Sequence, residues 1–279
     1  MNGGFIKRGN AVTRIHMGAE NVEYVELEDG EKIFAKHFIS NIHPAQTLEM
    51  LDTDKIRPVY KSRIKSLENS VSAFVLYLVL KPDRRIYSNR NYYYFDNDDV
   101  WKGTDPTYNA WPFTYGLFEC VPKHQSKYLE ALSVISYMRF EDVKQWEDTY
   151  NRVLVESDRG KDYEEFKQER SEKLLDLVEQ KFPGMREDIQ SCYTATPLSF
   201  RDYIGTGDGN MYGIVKNFND PVVTRISPKT KISNLLFTGQ NVNLHGVLGV
   251  TISAVLTCSS LVGKEYLVNK IIKANEEVV

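Results

Sequence analysis

The stretch NLLFTGQNVNLHGVLGVTISAVLTCSSLVG, from Asn234 to Gly263, constrains this chain more than any other. An apolar strand at Asn234 to Thr238 ends in Thr238-Gly239, a loop holding Gly246 follows, and a helix opens at Gly249 or Val250 and runs to Leu261. A helix start carries unsatisfied backbone N–H groups and partial positive charge, so a strand, a glycine-bearing loop and a helix in this order form a place where a ligand can meet backbone closely. The same order also describes an ordinary crossover whose glycines only permit close packing, and the residues leave both readings open. The apolar run Val247 to Val262 is broken by Gly249, Thr251, Ser253, Thr257, Ser259 and Ser260. It is shorter than the ~20 residues of a bilayer span, which predicts a buried helix.

Ahead of it the pattern alternates between strands and helices. Strands are predicted at Val12 to His16, Val22 to Leu27 and Lys32 to Ile39, with Asp29-Gly30 as the hairpin turn between the last two. Pro44 suits the first turn of a helix bearing Leu48 and Leu51, and Ile56, Val59, Tyr60, Ile64 and Leu67 mark a second. The β-branched and aromatic run SVSAFVLYLVL, Ser70 to Leu80, predicts a central strand. Tyr92 to Phe95, Tyr115 to Cys120 and Ser133 to Phe140 are predicted to join it in a mixed or antiparallel sheet. The charge-rich segment from Asp158 to Lys181 reads as a helix with a solvated face, stopped by Pro183-Gly184. With 279 residues, 42% of them hydrophobic, the chain has room for about two domains of ~150 residues.

Several functions are disfavoured at this level. Lys and Arg number 35 against 38 Asp and Glu, so the basic excess that nucleic-acid binding uses is missing. Cys120, Cys192 and Cys258 are far apart and form no CxxC pair, which argues for reduced thiols, no structural zinc and a cytoplasmic location. The opening MNGGFIKRGN has no signal-peptide pattern. The glycine loop GTGDGNMYG, Gly205 to Gly213, misses dinucleotide spacing: Asn210 or Tyr212 falls where the third glycine belongs. A tight turn pressed against a ligand or another backbone is the expectation there. No serine, histidine and acid arrangement is recognisable, so no catalytic side chain and no metal site is assigned.

The terminal segment resembles the C-terminal flavin motif of the phytoene desaturase and carotenoid isomerase family of FAD-dependent oxidoreductases, which includes the retinol saturase (all-trans-retinol 13,14-reductase) group. Three further stretches follow in that family's order: GGFIKRGNAVTRI with VEYVELEDGEKIFAKHFISNIHP, then KSLENSVSAFVLYLVL, then TATPLSFRDYIGTGDGNMYGI. The resemblance implies an α/β fold with α+β character. Residues 1–45 and 225–279 would form a partial FAD-binding lobe, and 46–224 a substrate-binding lobe with a mixed, largely antiparallel sheet and flanking helices.

It also implies FAD as cofactor. Gly239, Gln240 and Asn241 would approach the pyrophosphate and ribityl chain, and Gly246, Leu248, Gly249 and Val250 would lie under the isoalloxazine ring. Val12 would touch the adenine end, while Asn41 and Pro44 match the strand-exit turn. Tyr203, Tyr212 and His245 are candidate substrate-lining residues, and the implied substrate is a long apolar polyene, a carotenoid or retinoid undergoing desaturation, saturation or isomerisation. Such a lipid-soluble substrate invites peripheral membrane contact.

The family's opening strand, GxGxxG turn and helix have no counterpart in this sequence, since residue 1 falls just before the Gly3-Gly4 turn. The expectation is therefore the C-terminal part of such an enzyme, truncated and inactive in isolation, binding FAD weakly or not at all. It would self-associate or use a flavin-binding segment supplied from elsewhere. An amine-oxidase-like flavoprotein with another substrate, and a non-catalytic binding or assembly relic, are the alternatives.

Overall fold

Alternation in the first forty residues produces a three-stranded antiparallel meander. β1 (Val12–Met17) pairs with β2 (Val22–Leu27), which pairs with β3 (Lys32–Phe34) across the Asp29-Gly30 turn. Gly30 adopts φ 83°, the left-handed region that a glycine enters without strain. The single strand expected over Lys32 to Ile39 is interrupted after Phe34, and Phe38–Ser40 is a separate strand, β4. β4 leaves the meander because its backbone pairs instead with a strand near the end of the chain. The computed structural model describes residues 3–102, 111–152 and 155–276.

Two short helices follow, α1 (Pro44–Glu49) and α2 (Pro58–Lys65), each with proline at its first position, where the missing N–H would be unpaired in any case. His43 caps α1, its Nδ1 accepting the Ala45 N–H at 3.2 Å.

Val71 to Met211 form one of two units into which the chain divides. It contains β5 (Ser72–Leu80), an interior strand of a five-stranded sheet completed by β6 (Asn91–Phe95), β7 (Thr114–Glu119), β8 (Ala131–Met138) and, further along, β11 (Ile189–Ala195). The spatial order is β11-β5-β8-β7-β6, and every neighbouring pair is antiparallel. β9 (Asn151–Arg152) and β10 (Val155–Glu156) make a separate two-stranded ribbon. α3 (Lys161–Lys181) buries Tyr163, Leu174, Leu175 and Val178 among core side chains that include Leu76, Leu78, Leu132, Val134 and Met138. Its Lys161–Glu165 and Lys167–Glu164 pairs stand on the solvated face. α4 (Met185–Asp188) and α5 (Pro197–Ile204) complete this unit. The Gly205 to Gly213 loop continues into no helix. A Cβ on Gly209, at φ 61°, would overlap the Pro197 carbonyl, so the loop is pressed against another stretch of backbone as expected.

The second unit combines residues up to Ser70 with those from Tyr212 onward. It reaches past the boundaries of 45 and 225 because Ile56, Ile64 and Ile214 are buried in its core with Ile15, Leu48 and Phe237. Its C-terminal elements are β12 (Leu235–Phe237), α6 (Gly246–Val262) and α7 (Lys264–Glu276). β12 pairs with β4 in parallel, Leu235 opposite Phe38 and Phe237 opposite Ser40. Among the described residues no helix is long and apolar enough to cross a membrane.

The α3–α5 unit is locked by a buried ionic knot. The Asp202 carboxylate, with no side-chain exposure, is shared by the guanidiniums of Arg159 and Arg201 and by the Asn151 N–H at 2.7 Å. Arg159 also donates to the hydroxyls of Tyr163 at 3.1 Å and Thr149 at 3.0 Å, while Arg201 donates to the carbonyls of Glu147 and Thr149. Asp202→Ala would leave two guanidiniums buried against one another, and a loss of about 3–5 kcal/mol is expected in denaturant unfolding. A loss under about 1 kcal/mol would contradict that account. Burial, and then the stacked Tyr94 ring 4.9 Å away, push the Tyr115 phenol up to about 12. The folded state therefore holds that proton more tightly than the unfolded chain, giving stability that is complete below about pH 10 and lost as pH rises through 12. Unfolding measured from pH 9 to 12 should show a smaller decline in Tyr115→Phe than in the parent protein.

Candidate functional site

The parallel pair β4 and β12 delivers two chain segments to the same end of the small sheet. Thr238 N–H donates to the Ser40 carbonyl at 2.9 Å, and the next residue, Gly239, turns sharply at φ 89°. A Cβ here would overlap the Asn41 side-chain oxygen, so the two strand exits touch at a point that only glycine fits. Asn41, at the strand-exit turn, and Gly239 are thus brought together.

The next residues serve different ends. Gln240 is partly exposed, and its side chain lies beside Gly213. Asn241 is 5% exposed, and its Oδ1 accepts the Ile214 N–H at 3.0 Å. Its carbonyl accepts from Lys216 Nζ at 2.7 Å. Asn241 therefore ties the 213–216 segment to the β12 exit, a structural duty its place in the motif did not announce. Burial brings the Lys216 amine down to about 8.

α6 then begins at Gly246, in the left-handed region at φ 76°, with nothing within 4 Å of a notional Cβ. His245 is its N-cap but contributes no side-chain cap, and the first turn contains no acid. The free N–H groups and positive end of the helix dipole are left uncovered by side chains, beside Val247 at 86% and Leu248 at 74% exposure. Gly249 is different: a Cβ there would run into the Leu244 carbonyl. Ser253 and Thr257, each one turn further on, continue a buried small-residue stripe, and Thr257 donates to the Phe237 carbonyl at 2.9 Å. Of the residues placed under the ring from sequence, Gly246, Leu248 and Val250 are exposed at the helix start, while Gly249 packs inward.

The substrate-lining candidates separate. Tyr212 and His245 are in ring contact, 4.5 Å between centroids, and Tyr212 N–H donates to Ser70 Oγ at 3.0 Å. Tyr203 belongs to the other unit, where it lines a polar cavity of about 660 Å³ with Arg159, Lys167 and Asp202. Val12 opens β1 opposite Leu27, partly buried against its unit's core.

Sequence reasoning missed Asn234 and Lys216. Asn234 forms a reciprocal pair with the Val22 backbone, accepting at 2.9 Å and donating at 2.8 Å, and so fastens the meander to β12. Neither residue has a local signature, because each acts on a partner distant in sequence.

No family model matches the chain. It is similar to the all-trans-retinol 13,14-reductase of Danio rerio, 29% identical over 135 residues that make up 47% of this chain and 21% of that protein. It is also similar to the all-trans-retinol 13,14-reductase of Rattus norvegicus, 23% identical over 265 residues covering 87% of this chain and 42% of the relative. An oxidoreductase structure from Methanosarcina mazei aligns over 88% of this chain and 47% of its own, at 14% identity and a TM-score of 0.47. The chain thus spans less than half the length of these curated relatives. In sequence it is thus similar to all-trans-retinol 13,14-reductases over part of their length.

Proposed function

We propose that this chain contributes the ring-proximal part of a flavin site to an oxidoreductase that acts on a long conjugated isoprenoid, a retinoid or carotenoid. The observation that carries the reading is the start of α6: an uncapped, acid-free helix N-terminus six residues beyond a turn that only Gly239 fits. An anionic or electron-rich ring edge is favoured at such a helix end. The names of the sequence relatives support the retinoid class.

FAD would be held by the Gly239-Gln240 turn, with Gln240 offering its amide to the ribityl hydroxyls and the Val247 and Leu248 N–H groups facing the pyrimidine edge. When bound, the flavin supplies hydride and electron transfer. The chain's own residues bind, orient and exclude water. Leu248 and Val250 present apolar surface at the helix start, and the Tyr212–His245 pair offers an aromatic wall suited to a flat polyene.

FAD titrated into the protein should raise the melting temperature weakly but progressively, as mass action requires. Leu248→Glu places a carboxylate at the helix start, which favours the helix through its dipole but repels an anionic ring edge. The variant should melt no lower than the parent without FAD and lose most of the FAD-induced rise. A melting temperature indifferent to FAD, or an equal rise in both proteins, would overturn the assignment.

A further inference from the structure

Within the unit built from the two chain ends, the 216–229 segment and the 242–244 loop enclose, with the outer side of α6, a cavity of about 540 Å³. That volume lies in the range of small-molecule sites. Arg63 pins the segment in place, donating to the carbonyls of Val223 at 2.8 Å and Arg225 at 3.4 Å. Three cations, Lys216, Arg225 and Lys229, line the cavity and, among the described residues, no Asp, Glu or His does, although the chain as a whole carries a net charge of -3. Lys216 Nζ has two carbonyl partners, Asn241 at 2.7 Å and Thr224 at 3.5 Å, and burial is the one cause that lowers its affinity for a proton. The lining also has an apolar part: Ile226 and Val242 are buried, and Leu244 and Leu256 are each about half exposed. Gly239, Gln240 and residues 246–250, assigned above to the flavin, do not line it.

A partly buried amine without a counter-ion and two half-exposed leucines are complementary deficits. An anion would supply the charge that Lys216 lacks, in surroundings where a charge-assisted hydrogen bond is strong. A hydrocarbon chain would remove Leu244 and Leu256 from water. We propose that this cavity binds a monomeric anionic amphiphile, with a carboxylate or phosphate head among Lys216, Arg225 and Lys229 and an apolar chain along Val242, Leu244 and Leu256. Lys216 is the lining group whose protonation changes on binding. The bound anion restores its proton affinity, and complex formation above pH 8 takes up a proton.

The test is titration calorimetry of the full chain with dodecanoate and with dodecyl phosphate, both kept below micelle formation. Dodecanol supplies the chain without charge, and inorganic phosphate the charge without a chain. One-to-one saturable binding of both anionic amphiphiles is expected, at least about tenfold tighter than either control, as one charged hydrogen bond is worth. At pH 8.5 the heat should vary with the ionisation enthalpy of the buffer in the sense of proton uptake. Lys216→Met should weaken binding by at least about tenfold and abolish that uptake. Arg225→Gln, at an exposed position, tests the head-group site if the first variant folds poorly, and should weaken both amphiphiles. Absence of saturable binding, equal affinity for dodecanol, binding only to anionic vesicles, or full affinity in both variants would overturn the proposal.

Discussion

The parallel pairing of Phe38–Ser40 with Leu235–Phe237 is the contact on which the terminal unit depends. It joins strands separated by most of the chain, and closing so long a loop carries an entropic cost that grows only slowly with length. The return is concentrated in few residues. Leu235, Leu236 and Phe237 are all buried, Asn234 pairs twice with the Val22 backbone, and the Thr257 hydroxyl reaches the Phe237 carbonyl. Without that pairing, neither the Gly239 turn nor the start of α6 has a fixed place.

The same constraint explains an inverted helix. α6 turns Gly249, Ser253 and Thr257 inward, since only small side chains allow it to approach β12 so closely, and turns Val247, Leu248, Ile252 and Leu256 outward. A helix that buries its small residues and exposes its large apolar ones offers surface for ligands instead of core. One side of that surface meets the open helix start, and another forms a wall of the cationic cavity.

Much of this was legible in the residues. The Asp29-Gly30 turn fixed the β2–β3 hairpin, the run through Leu80 marked an interior strand, and Pro183-Gly184 ended α3, because each signal is local. Glycine spacing likewise kept the Gly205–Gly213 loop from being read as a phosphate loop. What stayed hidden was decided by distant partners. β3 and β4 read as one strand in sequence, and only the competing strand β12 separates them. The Asp202 knot gathers residues from three stretches of chain, 147–151, 159–163 and 201–202, and α7, none of whose residues is buried, has no core face to betray it. Asn241 sat inside a recognisable motif, yet its side chain serves Ile214, a residue that no spacing rule links to it.

The proposed flavin site comprises the β12 exit and the start of α6. Amide hydrogen exchange with and without excess FAD addresses it at the level of single segments. A flavin bound there slows exchange at residues 238–250 alone and leaves the five-stranded sheet of the other unit unchanged. Protection that leaves 238–250 untouched and falls elsewhere would contradict it.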